Sequence, residues 1–277
     1  MLRRPLLAAG LLAGGALLRP AILRARAGSQ GAAGIGSAAR PLSIGVTAGP
    51  HAQVTEKVRE LAARDGFVLR LVEFTDFIQP NAALASGDLD SNSYQHRPFL
   101  EQQIRDRGYK LAAVARTLVF PLGIYAPKYK ALSDLPQGGR VAIPNDPSNG
   151  GRALLLLAKA GLIRLAPGAD FRATVADIAE NPKRLRIVEL EAAQMPRALG
   201  DVDAAVVITD YALIAGLDPA KDALLREDAD SPYANILVVR EADRDTPWVK
   251  RLVAAYHRDE IRAFVRDTFH GNVVPAF

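Results

Sequence analysis

Short apolar runs and segments of helical periodicity alternate along most of this chain. Leu42–Thr47 reads as a strand, Gly49-Pro50 breaks it, and apolar positions recur every three to four residues over His51–Arg64, predicting a helix. Val68–Phe74 is a predicted strand, Asn81–Ser86 a short helix ended by Gly87, Leu89–Tyr94 a strand at a sheet edge, and Pro98–Arg107 a charged helix ended by Gly108. Lys110–Tyr125 is a long, largely apolar extended stretch. The pattern then restarts with a strand at Arg140–Ile143, a helix at Arg152–Ala160 ended by Gly161, and a strand at Leu185–Leu190. A short helix (Ala192–Leu199), a strand (Ala204–Ile208) and a helix (Asp210–Ala215, ended by Gly216) follow. A strand at Ala234–Arg240 and helices at Thr246–His257 and Asp259–Phe269 close the chain.

This rhythm predicts an α/β protein with parallel sheets covered by helices. No internal sequence repeat is visible. The simplest arrangement is two lobes with a cleft between them: residues 41–122 with 235–277 as lobe I, and 123–234 as lobe II. The chain is expected to cross near 120–125 and again near 231–236. Leu118–Ile124 reads either as an ordinary core strand or, from its extended length, as one shared between lobes.

The segment Val141–Leu157 carries the most specific local signal. A short strand runs into a turn set by Pro144 and Pro147, with Asn145, Asp146, Ser148 and Asn149 able to bond back to the backbone. Ser148 or Asn149 is then expected to cap a helix whose first turn holds Gly150, Gly151 and Arg152. Free N–H groups, a helix dipole and a guanidinium fork make such a turn a candidate carboxylate or phosphate site. An exposed turn with a solvated arginine is the plain alternative. A second constellation, Glu73–Phe77 with Gly87–Pro98, lies beyond strand ends, where open α/β sheets bind ligands. It combines Phe74, Phe77, Tyr94 and His96 with several amides. Phe74 ends a strand and reads as core; Phe77 and Tyr94 lie in polar surroundings and read as ligand contacts. Such a slot suits a small zwitterion with an apolar side chain.

Composition removes several classes. There is no cysteine, which excludes disulfides, thiolate metal sites and acylation of a cysteine in this sequence. At 277 residues and 49% hydrophobic content there is room for one large or two small domains. Residues 1–27 have the layout of a secretory signal: Arg3-Arg4, an apolar run over Leu6–Leu18, and Ala25-Arg26-Ala27 as a cleavage site. The arginine pair suggests the twin-arginine route, although Leu2 stands where Ser or Thr is usual. A run of about 13 residues is too short to span a bilayer, which takes about 20. Residues 28–40, rich in Gly, Ala and Ser, read as a flexible leader. The five arginines of residues 1–27 account for the whole excess of 35 basic over 30 acidic residues, so the high pI implies no nucleic-acid partner.

Catalytic patterns are weak. No histidine pair has metal spacing, and no Gly-x-Ser-x-Gly, P-loop or dinucleotide fingerprint is present. Asp88 and Asp90 read as a solvated turn rather than an acid–base pair. No cofactor and no metal are expected.

The two constellations together resemble the substrate-binding proteins of methionine ABC transporters, the NlpA/MetQ lipoprotein family. The resemblance runs from about Ile44 to the end. It is densest in Phe74–Pro98, Asp106–Leu111 and Ala142–Ile163, and continues in Glu180–Lys183, Ile187–Ala192 and Ser231–Asn235. It implies a two-lobe type II periplasmic-binding fold closing on one amino acid. Phe77, Tyr94 and His96 would surround a thioether side chain, Tyr125 would line the cleft near the crossing, Arg152 would clamp a carboxylate, and Asn149 would add a polar contact. Tyr94 stands where the family usually has Phe. Ile208 stands where the family has an asparagine that holds the ligand's amino-acid head, and isoleucine cannot bond an ammonium. Asp210 offers a carboxylate in compensation if the strand continues and places 208 and 210 on one face; equally, it caps a helix starting at Tyr211.

The leading expectation is therefore a soluble, exported, monomeric binding protein. It would have no lipid anchor, would bind methionine or a related amino acid, and would deliver it to ABC transporter membrane subunits in the periplasm. The alternatives are the same fold with another small carboxylate or sulfur compound, because of Ile208, or an enzyme on this scaffold.

Overall fold

Among the described residues seven α-helices carry proline in their first turn, where its missing N–H costs nothing, so the chain's turns are written largely in proline and glycine. A computed structural model describes residues 34–228 and 231–277. The expected signal (1–27) and residues 28–33 of the expected leader lie outside the described residues. Residues 34–40 are not a flexible leader. Ile35 is buried, and the Val68 N–H donates to the Gly36 carbonyl at 2.8 Å, which ties this segment to the fold.

The first half runs β1 (Leu42–Thr47), α1 (Pro50–Arg64), β2 (Leu69–Phe74), α2 (Gln79–Ser86), β3 (Ser91–His96), α3 (Arg97–Arg107) and β4 (Leu111–Arg116). The chain then crosses through β5 (Leu118–Val119) into β6 (Leu122–Tyr125), β7 (Arg140–Pro144) and α4 (Pro147–Lys159). A small hairpin, β8 (Arg164–Leu165) with β9 (Ile178–Glu180), precedes β10 (Arg186–Leu190), α5 (Met195–Ala198), β11 (Ala204–Ile208) and α6 (Thr209–Ile214). After α7 (Pro219–Asp222) and β12 (Ala223–Arg226) the chain returns to β13 (Asn235–Arg240), α8 (Pro247–Tyr256), α9 (Asp259–Phe269) and β14 (Val274–Pro275).

Two five-stranded sheets result, ordered β2-β1-β3-β13-β4 and β10-β7-β11-β6-β12. In each, four strands run one way and one runs against them, so neither is wholly parallel as the sequence suggested. β13 runs antiparallel to β3 and β4, and β6 runs antiparallel to β11 and β12. The reason is connectivity: β13 and β6 are the strands by which the chain enters each sheet from the other. The two halves thus share one plan without a visible sequence repeat.

Two expectations about strands are corrected. Ser91–His96 is not an edge but lies between β1 and β13, with all six residues buried. Leu118–Ile124 is not one shared strand. Leu118–Val119 pairs with β14, Leu122–Tyr125 joins the second sheet, and Pro121, which has no N–H to give a ladder, separates them.

One large core cluster spans both lobes, and a smaller one, built on Leu84, Leu89, Leu100, Leu111, Ile236 and Val238, belongs to the first lobe. Val54, Val58 and Leu61 of α1 pack over β1, while Leu154, Leu156 and Leu157 of α4 pack over the second sheet. The glycines of α4 are explained by close approach. A Cβ on Gly151 would meet the Phe171 carbonyl oxygen, a backbone atom, and one on Gly150 would lie 2.9 Å from the Pro144 oxygen. Alanine is normally the better helix former by about 1 kcal/mol, yet here the clash decides the sign. Gly151→Ala is expected to destabilise the protein by about 1–3 kcal/mol in urea unfolding; a neutral or stabilised variant would show that the 171–173 loop yields freely.

Candidate functional site

β3, the turns before α2 and α4, the crossing segment and the start of α6 converge on one small cavity of about 20 Å³ between the sheets. That is room for about one water, so the lobes are drawn tightly together around it. Seven of the residues singled out in the sequence line it: Phe77, Tyr94, His96, Asn149, Arg152, Ile208 and Asp210. Tyr125 does not. It sits within β6, buried, with its ring over Gly123, where a Cβ would come within 2.8 Å of it, so it belongs to the core of the second sheet. Gln95, Phe99, Phe120 and Asn235 also line the cavity and were not singled out. Phe120 was hidden inside an apolar run, and Asn235 inside a strand start.

One wall is aromatic. Phe77 packs against Tyr94 (ring centroids 5.9 Å), Phe99 (6.2 Å) and, from the opposite lobe, Tyr211 (5.0 Å). The Tyr94 hydroxyl has a structural use: it donates to the Phe77 carbonyl at 3.0 Å and so fixes the loop that carries Phe77. Burial holds that hydroxyl well above its usual pKa, so it stays a donor.

His96 joins the lobes. Its Nδ1 accepts from the Phe99 N–H (3.2 Å), which caps α3, and this leaves Nε2–H to donate to Asn149 Oδ1 at 3.0 Å. Burial, with Arg152 nearby, lowers its pKa to about 3, so the ring is neutral at ordinary pH. Asn149 in turn donates through Nδ2 to the Asp146 carboxylate (3.0 and 3.1 Å). Behind the aromatic wall Gln95 exchanges bonds with Asn81, and its Nε2 also reaches Asn92, so the buried amides satisfy one another.

The α4 turn differs from its sequence reading. The cap is Asp146, not Ser148 or Asn149, and the helix begins at Pro147. The Asp146 carboxylate already accepts the Asn149 N–H at 2.9 Å, and the Gly150 N–H donates to the Asp146 carbonyl. The helix N-terminus is therefore answered by an acid of its own and is not an open anion cradle. The anion-binding capacity rests on Arg152 alone.

Arg152 is 2% exposed, so its charge needs a partner. That partner is Glu227, which sequence reasoning missed; nothing in Arg226-Glu227-Asp228 marks it locally. Nε donates to both Glu227 oxygens (2.9 and 3.1 Å), while Nη2 donates to Glu227 and, at 2.9 Å, to the Phe120 carbonyl. Tyr233 stacks on the guanidinium at 4.3 Å. Nη1 has no partner among the described residues, in a residue that lines the cavity.

At the far side, β11 ends at Ile208, and α6 starts at once with Thr209. Ile208 and Asp210 share the cavity because the chain turns into a helix there, not because the strand continues. Ile208 is itself the residue before the helix, so Asp210 is not the cap. Its Oδ1 accepts the Tyr211 N–H at 2.7 Å, and burial raises its pKa to about 7. Among the described residues no group of three or more acids and histidines is placed to hold a metal, and no helix is long and apolar enough to cross a membrane.

Comparison with known proteins decides the family, since the NlpA lipoprotein model matches residues 42–277. The chain belongs to the NlpA lipoprotein family. Among curated NlpA relatives, the D-methionine-binding lipoprotein MetQ of Escherichia coli K12 is 48% identical over 236 residues, covering 84% of this chain and 87% of the relative. A nutrient binding protein of Burkholderia cenocepacia, solved bound to methionine, is 51% identical with a TM-score of 0.84, over 86% of this chain and 100% of that one. The crystal structure of the methionine binding protein MetQ gives 47% identity and a TM-score of 0.83, over 85% and 98%. This NlpA-family chain has the two-lobe type II periplasmic-binding fold.

Removing Glu227 leaves a buried guanidinium uncompensated and orphans the Leu122 N–H, which donates to the same carboxylate at 2.9 Å. Glu227→Ala is expected to cost about 3–5 kcal/mol in urea unfolding. A loss below about 1 kcal/mol, the range of surface pairs, would refute the assignment of this pair as a buried structural ion pair.

Proposed function

We propose that the protein is the substrate-binding component of an ABC importer and takes up methionine, or an amino acid close to it, in the cavity between its lobes. One observation carries this: a buried arginine with an unpartnered N–H lines the same closed cavity as a cluster of aromatic rings. The guanidinium suits a carboxylate. The rings suit a thioether, whose sulfur gains about 0.3–1.5 kcal/mol from each aromatic contact. The site residues are Phe77, Tyr94, His96, Asn149, Arg152, Ile208 and Asp210, with lobe I at 41–122 and 235–277 and lobe II at 123–234. The membership of the two sheets supports that division.

The relatives' names favour methionine over another carboxylate or sulfur compound, and they are names of binding proteins, which weighs against an enzyme. Those names also make the relatives lipoproteins, whereas this sequence has no cysteine to acylate. The expectation of an unanchored protein thus runs against the relatives' names. Our reading is export by the signal of residues 1–27 and action in the periplasm beside the importer's membrane subunits.

Calorimetric titration tests the function directly. L- and D-methionine are added to the purified protein after unfolding and refolding to strip carried ligand. Saturable 1:1 binding at micromolar affinity or tighter is expected. Arg152→Lys should weaken it roughly ten- to hundredfold, the equivalent of one charge-assisted hydrogen bond at about 1.5–3 kcal/mol. No heat and no thermal shift with either enantiomer would sink the methionine reading.

A further inference from the structure

Asp210 is the one cavity-lining acid, it is 1% exposed, and the site described so far gives it nothing to do. Its carboxylate meets backbone N–H groups, those of Tyr211 and of Asp210 itself, and among the described residues no side chain donates to it. The cation that would normally neutralise it is spoken for. Arg152 shares the cavity, but its Nε and Nη2 are held by Glu227 and the Phe120 carbonyl. The other titratable groups around the cavity supply no positive charge. His96 on β3 donates to Asn149 and is neutral, Tyr94 on β3 donates to Phe77, and Tyr211 on α6 carries a phenol. Asp146 and Glu191, from the neighbouring turns, border the adjoining groove and are also acids. Beside Asp210 stands Ile208, which offers no polar atom. A buried carboxylate with no ion-pair partner of its own, in a cavity whose one cation is already paired with Glu227, lacks a positive charge that a ligand can bring.

We propose that the Asp210 carboxylate receives the ligand's ammonium group, so that this site selects amino acids through an ion pair of its own and binds them with Asp210 ionised. This deepens the proposed function and rests on it for the choice of methionine as probe. Before binding, burial keeps the Asp210 carboxyl protonated up to about pH 7. An arriving ammonium favours the charged form, so uptake below pH 7 releases a proton. Affinity then falls as pH drops below 7 and again at high pH, where the ligand's own ammonium deprotonates.

The test is calorimetry of L-methionine between pH 5 and pH 8.5 on the wild type and Asp210→Asn, with 4-(methylthio)butanoate as the amine-free probe. For the wild type, affinity should fall about tenfold per pH unit below 7, the slope of one proton, and methionine should bind at least tenfold tighter than the amine-free acid at pH 8. In Asp210→Asn the profile should flatten and that preference collapse. A flat wild-type profile, an unchanged variant, or equal binding of the two probes overturns the proposal. Folding of the variant has its own readout. A carboxyl held above its unfolded pKa of about 3.9 costs native stability as pH rises from about 4 through 7. Ligand-free Asp210→Asn should therefore melt above the wild type at pH 8 and level with it near pH 4. If the wild type binds neither probe, the methionine reading fails separately. A thermal-shift panel of other α-amino acids, each paired with its amine-free acid, then decides the role of Asp210. Larger shifts for the amine-bearing members support it; equal shifts, or none, overturn it.

Discussion

The burial of Arg152 is the constraint around which the two lobes are arranged. An ion removed from water costs several kcal/mol unless its partner and hydrogen bonds are well placed. Here the partners come from different parts of the chain: Glu227 and Tyr233 from the return crossing, and Phe120 from the outward one. Glu227 also takes the Leu122 N–H, and its own N–H donates to the Leu122 carbonyl. One guanidinium on α4 thereby fixes both crossings against each other at the base of the cavity. The Nη1 amino group that remains is oriented by a frame that cannot shift without exposing the pair.

How much of this was legible in the sequence depends on what each residue was doing. Strands and helices that bury apolar faces were readable, because periodicity reports burial. β3 was not read as central, because Ser91-Asn92-Ser93-Tyr94-Gln95-His96 is polar at almost every position and still wholly buried. Its amides satisfy one another and its aromatic and imidazole groups face the cavity, a use that hydropathy cannot distinguish from a surface strand. Gly150-Gly151 was visible as a signal, but its cause was packing against Pro144 and Phe171 backbone rather than open N–H groups. Glu227 was invisible for a general reason: an ion pair separated by 75 residues leaves no local pattern. The resemblance to a family supplied most of the cavity list, and it erred at Tyr125, where an aromatic near the crossing belongs to the core.

His96 in the cavity and His51 beside it, against Phe120, show why neutral groups surround the charged ones. His51 stacks on Phe120 at 4.2 Å, accepts from Asn235 at 3.1 Å through Nε2, and has its pKa lowered to about 3 by burial. His96 is neutral for the same reason. A second cation beside Arg152 would compete for Glu227 and repel the guanidinium, whereas a neutral ring offers a directed N–H or lone pair without charge. The charge in the cavity thus comes from Arg152, paired with Glu227, and from Asp210 when it is ionised.

Two sheets with one strand order place these groups where relative motion of the lobes would act on them. Each sheet contains a strand delivered from the other, β13 in the first and β6 in the second, and neither lies at a sheet edge. A crossing strand held on both sides cannot peel away, so relative motion would fall on the links that flank it, at Thr117–Pro121 on the way out and at the described residues Glu227 and Tyr233 on the way back. Those links hold Phe120, Glu227 and Tyr233, the groups that touch Arg152. Asn149 on the second lobe and His96 on the first meet only when the lobes are together. On the proposed reading, a ligand that engaged Arg152, Phe77 and Asp210 would stabilise the closed arrangement through differential contacts, the requirement for any ligand-driven shift between conformations. The same geometry that makes Arg152 costly to bury makes the closed cavity the state in which its charge is best used.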